Sequence, residues 1–249
     1  SSDISIPFVI LCDFGLLEDK VAKLNLNIKL KDYSTTQKIT CCPNTVWVWH
    51  VPLHDVVIPG VLNANNSHYV LELLNQGINA VKSQVFKAFV TAPIHKGIIN
   101  EAGIVFKGHT EYLAKAFNLD ENQVIMMLAC KAMKVALVTT HLPLAKVASA
   151  IDMDKLEYII SKIHDELQAK FMIQSPRILV TGLNPHAGEN GHMGREELDI
   201  IIPVIKKLQQ QGIDVNGPFA ADTIFTPQIL QNADVVITMY HDQGLSVLK

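Results

Sequence analysis

Apolar residues along this chain fall into two alternating patterns. Short continuous runs read as strands: Pro7 to Leu11, Phe86 to Thr91 (stopped by Pro93), Val135 to Thr140 (bounded by Pro143), Arg177 to Thr181 and Asp234 to Tyr240. Thr45 to Leu53, where Val46 and Val48 alternate with Trp47 and Trp49, reads as a half-buried strand. Between them, spacings of three and four mark helices. Val70, Leu74, Ile78 and Val81 share one face of a helix over 68–81. Leu156, Ile160, Ile163 and Leu167 do the same in a helix that Asp154 is placed to cap. A third helix, from about Glu196, runs through Ile200, Ile201, Val204 and Leu208 and stops at Gly212. Strands alternating with helices of this length build βαβ units, so the predicted fold class is α/β with a mostly parallel sheet. The glycine-bearing stretch Gly103 to Gly108 marks the expected boundary between an incomplete first subdomain, 1–105, and a second, 106–249.

Composition narrows the function. With 249 residues, 49% of them hydrophobic, the chain can bury one large core or two small ones. Its 21 basic and 24 acidic residues leave a net charge of −3, which gives no support to nucleic-acid binding. The longest apolar run, Val124 to Cys130, falls far short of the ~20 residues that a membrane-spanning helix needs, so no membrane partner is expected. Cys12, Cys41, Cys42 and Cys130 form neither a disulfide framework nor paired CxxC motifs. Reduced thiols and a start without a basic, apolar leader lead us to expect a cytoplasmic protein.

Three of the ten histidines share one context. His141 and His241 directly follow predicted strands, and His186 lies a few residues past another. Ligands of open parallel sheets bind at the carboxyl ends of strands. Three imidazoles at that edge suit a borderline divalent metal with a position left open for substrate. A lone loop histidine carries little such meaning, and no HExxH-type motif adds to it.

Two further segments, Thr91 to Gly97 and Gly108 to Glu111, place hydroxyls, imidazoles and Lys96 after apolar stretches. Near a helix start they suit an anion, because the first N–H groups and the helix dipole are positive there. Thr110 is equally placed to be an ordinary N-cap. The glycine-rich stretch Asn184 to Gly194 is not a GxGxxG dinucleotide fingerprint. Lys249, after the apolar run Leu245 to Leu248, is either a tuned base or a solvated lysine.

Six ordered blocks go further. They are Thr91–Gly103, Gly108–Glu111, Thr140–Leu144, Gly182–Gly194, Gly217–Thr223 and Met239–Gly244. From about Asn66 to Lys249 they resemble the 4-hydroxythreonine-4-phosphate dehydrogenase family of pyridoxal phosphate biosynthesis. The resemblance implies an α/β/α, isocitrate/isopropylmalate-dehydrogenase-like fold with two subdomains, and a homodimer. It implies a divalent metal (zinc, magnesium or cobalt) on His141, His186 and His241, with one histidine lent by the partner subunit. His241, farthest along the chain, is the one expected to cross. His109, Thr110 and Lys249 match substrate-binding positions, with Lys249 as base or anion partner, and Asp222 is a candidate to orient a metal ligand. The implied reaction is NAD- or NADP-dependent oxidation of 4-phosphooxy-L-threonine, a small phosphorylated amino acid, followed by decarboxylation. Family members also carry a leading Gly-Glu-Pro-Ala-Gly-Ile-Gly-type loop, and an asparagine and arginine beyond the point matching Lys249, which have no counterpart here.

Two other classes compete. A phosphate acetyltransferase-like acyl or phosphoryl transferase shares the broad fold and needs no histidine metal site. A non-catalytic binding remnant needs no complete active site.

Overall fold

The computed structural model describes residues 6–35, 39–120 and 123–248. The chain divides into two compact units, 1–121 and 122–249. The boundary expected near residue 105 falls inside the first unit, where Phe106 packs with Leu74 and Ile99 in a small core.

In the first unit β1 (Val9–Cys12), α1 (Phe14–Lys23), β2 (Lys29–Asp32) and β3 (Thr45–His50) are followed by α2 (Ser67–Lys82), α3 (Lys96–Glu101) and α4 (His109–Ala116). The strands form a parallel sheet in the order β1-β3-β2, with Val48 of the central strand fully buried. Helix α2 matches the predicted face: Leu74 and Ile78 point inward. Helix α1 was not legible as a helix. Its start is fixed by Asp13, whose Oδ1 accepts from the Leu16 N–H at 2.8 Å.

The strand expected over Phe86 to Thr91 is not formed. An apolar run becomes a strand only when a neighbour supplies ladder hydrogen bonds, and among the described residues none pairs here. Side chains hold the segment instead. The Phe86 ring sits 5.7 Å from Tyr33 and 6.3 Å from Trp49, Phe89 closes over Gly77, and Val90 is left 91% exposed.

The second unit runs β4 (Met127–Ala129), β5 (Lys134–Leu137), α5 (Met153–Phe171), β6 (Ile178–Thr181), α6 (Ile202–Gln210), β7 (Val215–Phe219), α7 (Ala221–Ile224), α8 (Pro227–Leu230), β8 (Val235–Thr238) and α9 (His241–Leu248). A π-helical turn, Glu197–Ile201, leads into α6. The sheet order is β4-β5-β8-β6-β7, parallel except for the edge strand β4.

Alternation along the strands sorts the core into two layers. Ala136, Ile178, Val180, Val235 and Ile237 face α5 and α6, packing with Ile160, Ile163, Val204 and Leu208. Val135 and Leu137 pack with Leu245 of α9 on the opposite side, and Leu179 and Val236 with Ile224 of α7. Helices on both faces of a mostly parallel sheet are the expected α/β/α architecture. They also explain why β6 and β8 read as unbroken apolar runs: all their residues are buried.

Two details differ from expectation. The N-cap of α5 is Asp152, whose Oδ1 accepts from Lys155 N at 2.7 Å, and Asp154 lies within the first turn. Both aspartates suit a cap, but Asp152 is the one whose backbone is still extended. Strands β2, β4 and β7 carry no strong apolar signal, being short and partly exposed. Among the described residues no helix is long and apolar enough to cross a membrane.

The layered core yields a direct test. Leu208 is fully buried, whereas Leu144 is 73% exposed. Leu208→Ala is expected to lower unfolding free energy by about 2–5 kcal/mol in urea titrations, and Leu144→Ala by no more than ~0.5 kcal/mol.

Candidate functional site

The strands preceding His141, His186 and His241 are β5, β6 and β8, and β8 lies between the other two. Neighbours far apart in sequence therefore open onto one carboxyl edge. Hydrogen bonds just past the strands tie their ends together. Thr139 donates through both N–H (3.1 Å) and Oγ1 (2.7 Å) to the Met239 carbonyl, joining the chain before His141 to the chain before His241.

Gln243 makes the second tie. Its Oε1 accepts from Met239 N at 2.7 Å and from Thr181 Oγ1 at 2.8 Å, and its Nε2 donates to the Gly182 carbonyl at 2.7 Å. An amide side chain is needed here, because the groups it meets include one backbone donor and one backbone acceptor.

Within this frame the His141 and His241 rings lie 5.5 Å apart, centroid to centroid. Asp242 Oδ1 stands 3.2 Å from His241 Nδ1. With Nδ1 protonated toward that carboxylate, Nε2 keeps its lone pair for a cation. Two neutral imidazole nitrogens, one oriented by a carboxylate, fit a divalent metal of the zinc type. The sequence offered Asp222 as a candidate either to orient a metal ligand or water or to cap a strand end. Asp222 lies exposed in the first turn of α7, and the acid beside an imidazole is Asp242.

His186 is delivered differently. After Asn184 the chain makes a left-handed turn in which His186, Ala187, Gly188, Glu189 and Asn190 all have φ between 43° and 79°. Left-handed backbone costs roughly 1–2 kcal/mol for each non-glycine residue. Opposing that cost is Glu197, buried at the start of the π-helical turn. It accepts from Leu183 N and Asn184 N at 2.8 Å each and from Asn184 Nδ2 at 2.9 Å. Hydrogen bonds to a charged group contribute about 1.5–3 kcal/mol each, the scale needed to hold such a turn. Gly188 passes so close that a Cβ there would stand 2.6 Å from Glu197 Oε2, so only glycine fits. Among the described residues no three His, Cys, Asp or Glu side chains are grouped as a ready-made metal site. The chain thus presents His141 and His241 as a pair, with His186 carried on its own turn.

In the first unit, Thr110 is not the N-cap of α4. That position is Gly108, which brings no side-chain hydrogen bond to the helix start. Thr110 lies exposed in the first turn, and the Nε2 atom of His109 is buried without a hydrogen-bond partner among the described residues. A Cβ on Gly108 would meet Glu111 Oε2 at 3.0 Å and Lys96 Nζ at 3.1 Å, so a carboxylate and an ammonium both stand beside this uncapped start. Uncapped N–H groups, an orphaned imidazole nitrogen and a nearby cation fit an anion. His95, by contrast, is used as a cap: its Nδ1 accepts from Ile98 N at 3.2 Å. Lys249 lies outside the described residues.

Glu197, Gln243, Thr139 and Asp242 were not singled out from sequence. Glu197 follows the glycine-rich stretch as one of two adjacent glutamates, and nothing local distinguishes the buried one. Gln243→Glu keeps the side-chain shape but turns an oxygen toward the Gly182 carbonyl. We expect it to cost about 2–4 kcal/mol of stability by chemical denaturation, with Gln243→Leu at least as damaging.

A family model described as pyridoxal phosphate biosynthetic protein PdxA matches residues 3–249, including the N-terminal region where the motif blocks are sparse. The 4-hydroxythreonine-4-phosphate dehydrogenase of Pseudomonas syringae pv. tomato is 47% identical over 245 residues, covering 98% of this chain and 74% of that protein. The enzyme of the same name from Chromobacterium violaceum is 50% identical over 241 residues, covering 97% and 72%. The crystal structure of 4-hydroxythreonine-4-phosphate dehydrogenase from Klebsiella pneumoniae matches with a TM-score of 0.89 at 29% identity, over 100% of this chain and 76% of that one. The fold is accordingly the isocitrate/isopropylmalate-dehydrogenase-like one. With its whole described length matched, the chain belongs to the PdxA family of pyridoxal phosphate biosynthetic proteins.

Proposed function

We propose that this protein is the dehydrogenase that oxidises 4-phosphooxy-L-threonine in pyridoxal phosphate biosynthesis, using NAD or NADP and a divalent metal. Support comes from the relatives, which carry that enzyme's name, and from the imidazole pair at the sheet edge. The His141–His241 pair is the single observation that carries the metal-dependent reading. It favours this oxidoreductase over an acyl or phosphoryl transferase, which has no use for paired imidazoles there.

The chemistry balances simply. The substrate C3 carbon gives up a hydride and its hydroxyl a proton, leaving 2-amino-3-oxo-4-phosphooxybutanoate. As a β-keto acid this loses carbon dioxide to give 3-amino-2-oxopropyl phosphate. A nicotinamide cofactor, when bound, supplies the hydride acceptor. A divalent cation, when bound at His141 and His241, supplies Lewis-acid polarisation of oxygen. His141 and His241 contribute nitrogen donors, and Asp242 fixes which nitrogen of His241 is free. In the first unit, the start of α4 with His109, Thr110 and Lys96 binds an anionic group of the substrate. Lys249 serves as proton acceptor or as partner to a substrate anion, the two roles that the family resemblance implies.

The protein acts as a homodimer in this reading, with the metal site shared between subunits. The closeness of His141 and His241 within one chain favours His186 as the ligand exchanged, in place of the His241 expected from the sequence. A mixture of inactive His141→Ala and His186→Ala proteins then forms heterodimers with one intact site each. After random subunit exchange, activity should return to roughly a quarter of wild type. Mixing His141→Ala with His241→Ala should restore none. The reverse pattern would make His241 the crossing ligand, and recovery in neither mixture despite proven exchange would remove the shared site.

Thr110→Ala separates anion binding from helix capping. Loss of one hydrogen bond to a charged group should raise KM for 4-phosphooxy-L-threonine on the order of tenfold, with melting temperature little changed. An unchanged KM would remove Thr110 from the substrate.

A further inference from the structure

Glu197 is only 2% exposed and has no part in the chemistry above. Its charge is met by N–H groups: Leu183 N, Asn184 N and Asn184 Nδ2, all within 2.9 Å. For stability alone, an apolar side chain would fill this space without the desolvation cost of a buried carboxylate. A carboxylate differs in fixing direction. Its two oxygens reach the chain just before His186, through residues 183 and 184, and lie against the chain just after it, at Gly188. The far end of the turn closes on itself, with Met193 N donating to the Gly188 carbonyl at 3.1 Å and His192 N to the Glu189 carbonyl at 3.2 Å. Asn184 Nδ2 also donates to Glu196 at 2.7 Å, so that amide is locked in orientation. The π-helical turn that begins at Glu197 adds a residue to the helix start and sets where the carboxylate lies.

We propose that Glu197 is a positioning residue: its buried carboxylate holds the left-handed turn over 186–190 in the one arrangement that presents the His186 imidazole to a divalent cation. The proposal rests on the reading of His186 as a metal ligand. Glutamate is the side chain that does this. Glutamine offers one acceptor oxygen for the two backbone N–H groups and turns a donor toward Asn184 Nδ2. Alanine leaves both backbone donors without their carboxylate and Asn184 Nδ2 with Glu196 alone.

The test is titration of metal-free protein with Co²⁺, read by calorimetry and by the cobalt d–d absorption bands, with circular dichroism confirming the folded state. His186→Ala should weaken Co²⁺ binding and alter the bands, which establishes the ligand. Glu197→Ala should weaken binding on the order of 10–100-fold, the usual effect of removing a residue that orients a ligand. Glu197→Gln, which keeps an acceptor for the backbone N–H groups, should fall between it and wild type. Asn184→Ala, which leaves the carboxylate in place but removes its side-chain partner, should weaken binding several-fold. If Glu197→Ala does not fold, Glu197→Gln and Asn184→Ala decide. Should His186→Ala change affinity and spectrum while those two bind Co²⁺ as wild type does with the same bands, Glu197 has no positioning role. A His186→Ala protein that binds Co²⁺ unchanged would instead overturn the ligand reading on which the proposal stands.

Discussion

The carboxyl edge of the five-stranded sheet depends on the side chain of Gln243. Strands β6 and β8 run parallel and side by side, so their ladder ends where the two chains diverge into loops. Beyond that point, backbone groups need partners that the sheet no longer supplies. Gln243 answers for Met239 N, Thr181 Oγ1 and the Gly182 carbonyl at once. Thr139 does the same between the ends of β5 and β8 through the Met239 carbonyl. Met239 is thereby fixed from both sides, two residues before His241. The imidazole pair inherits its spacing from this cross-linking, since each ring follows its anchor by two residues.

His186 draws its geometry from a different source. The left-handed turn is costly backbone, and costly backbone persists only where surrounding structure over-determines it. Glu197 with its three donors, and Gly188 with no Cβ to collide, supply that determination. The two supports meet at residues 181 to 184. Gln243 holds Thr181 and Gly182, and Glu197 holds Leu183 and Asn184. One unbroken stretch of chain is thus clamped from the β8 side and from the α6 side before the turn begins. A flexible glycine-rich loop without these clamps would not hold the His186 imidazole in a defined place.

The start of α4 in the first unit follows another logic. Among the described residues Gly108 brings no side-chain cap to the start of α4, where the Glu111 carboxylate and the Lys96 ammonium both come close. An N-cap side chain would have stabilised the helix by about 1 kcal/mol. Its absence leaves the positive end of the helix open, with His109 Nε2 unpartnered beside it.

Much of this protein was legible in its residues. The periodicities located α2, α5 and α6 and strands β1, β3, β5, β6 and β8, because burial on one helical face or both strand faces writes itself into spacing. Strand-end placement picked His141, His186 and His241, and motif resemblance picked the same three and the family. The order of the sheet was not legible. Nothing in the sequence says that β8 inserts between β5 and β6, because strand adjacency is chosen by helix packing on the two faces. For the same reason the closeness of the His141 and His241 rings was not legible, since it follows from β5 and β8 lying side by side. Phe86 to Thr91 had the composition of a strand but found no partner for its ladder. The roles of Glu197 and Gln243 were invisible as well. A polar side chain acquires such a role from the burial and the directed donors around it, and these exist only once distant segments have been brought together.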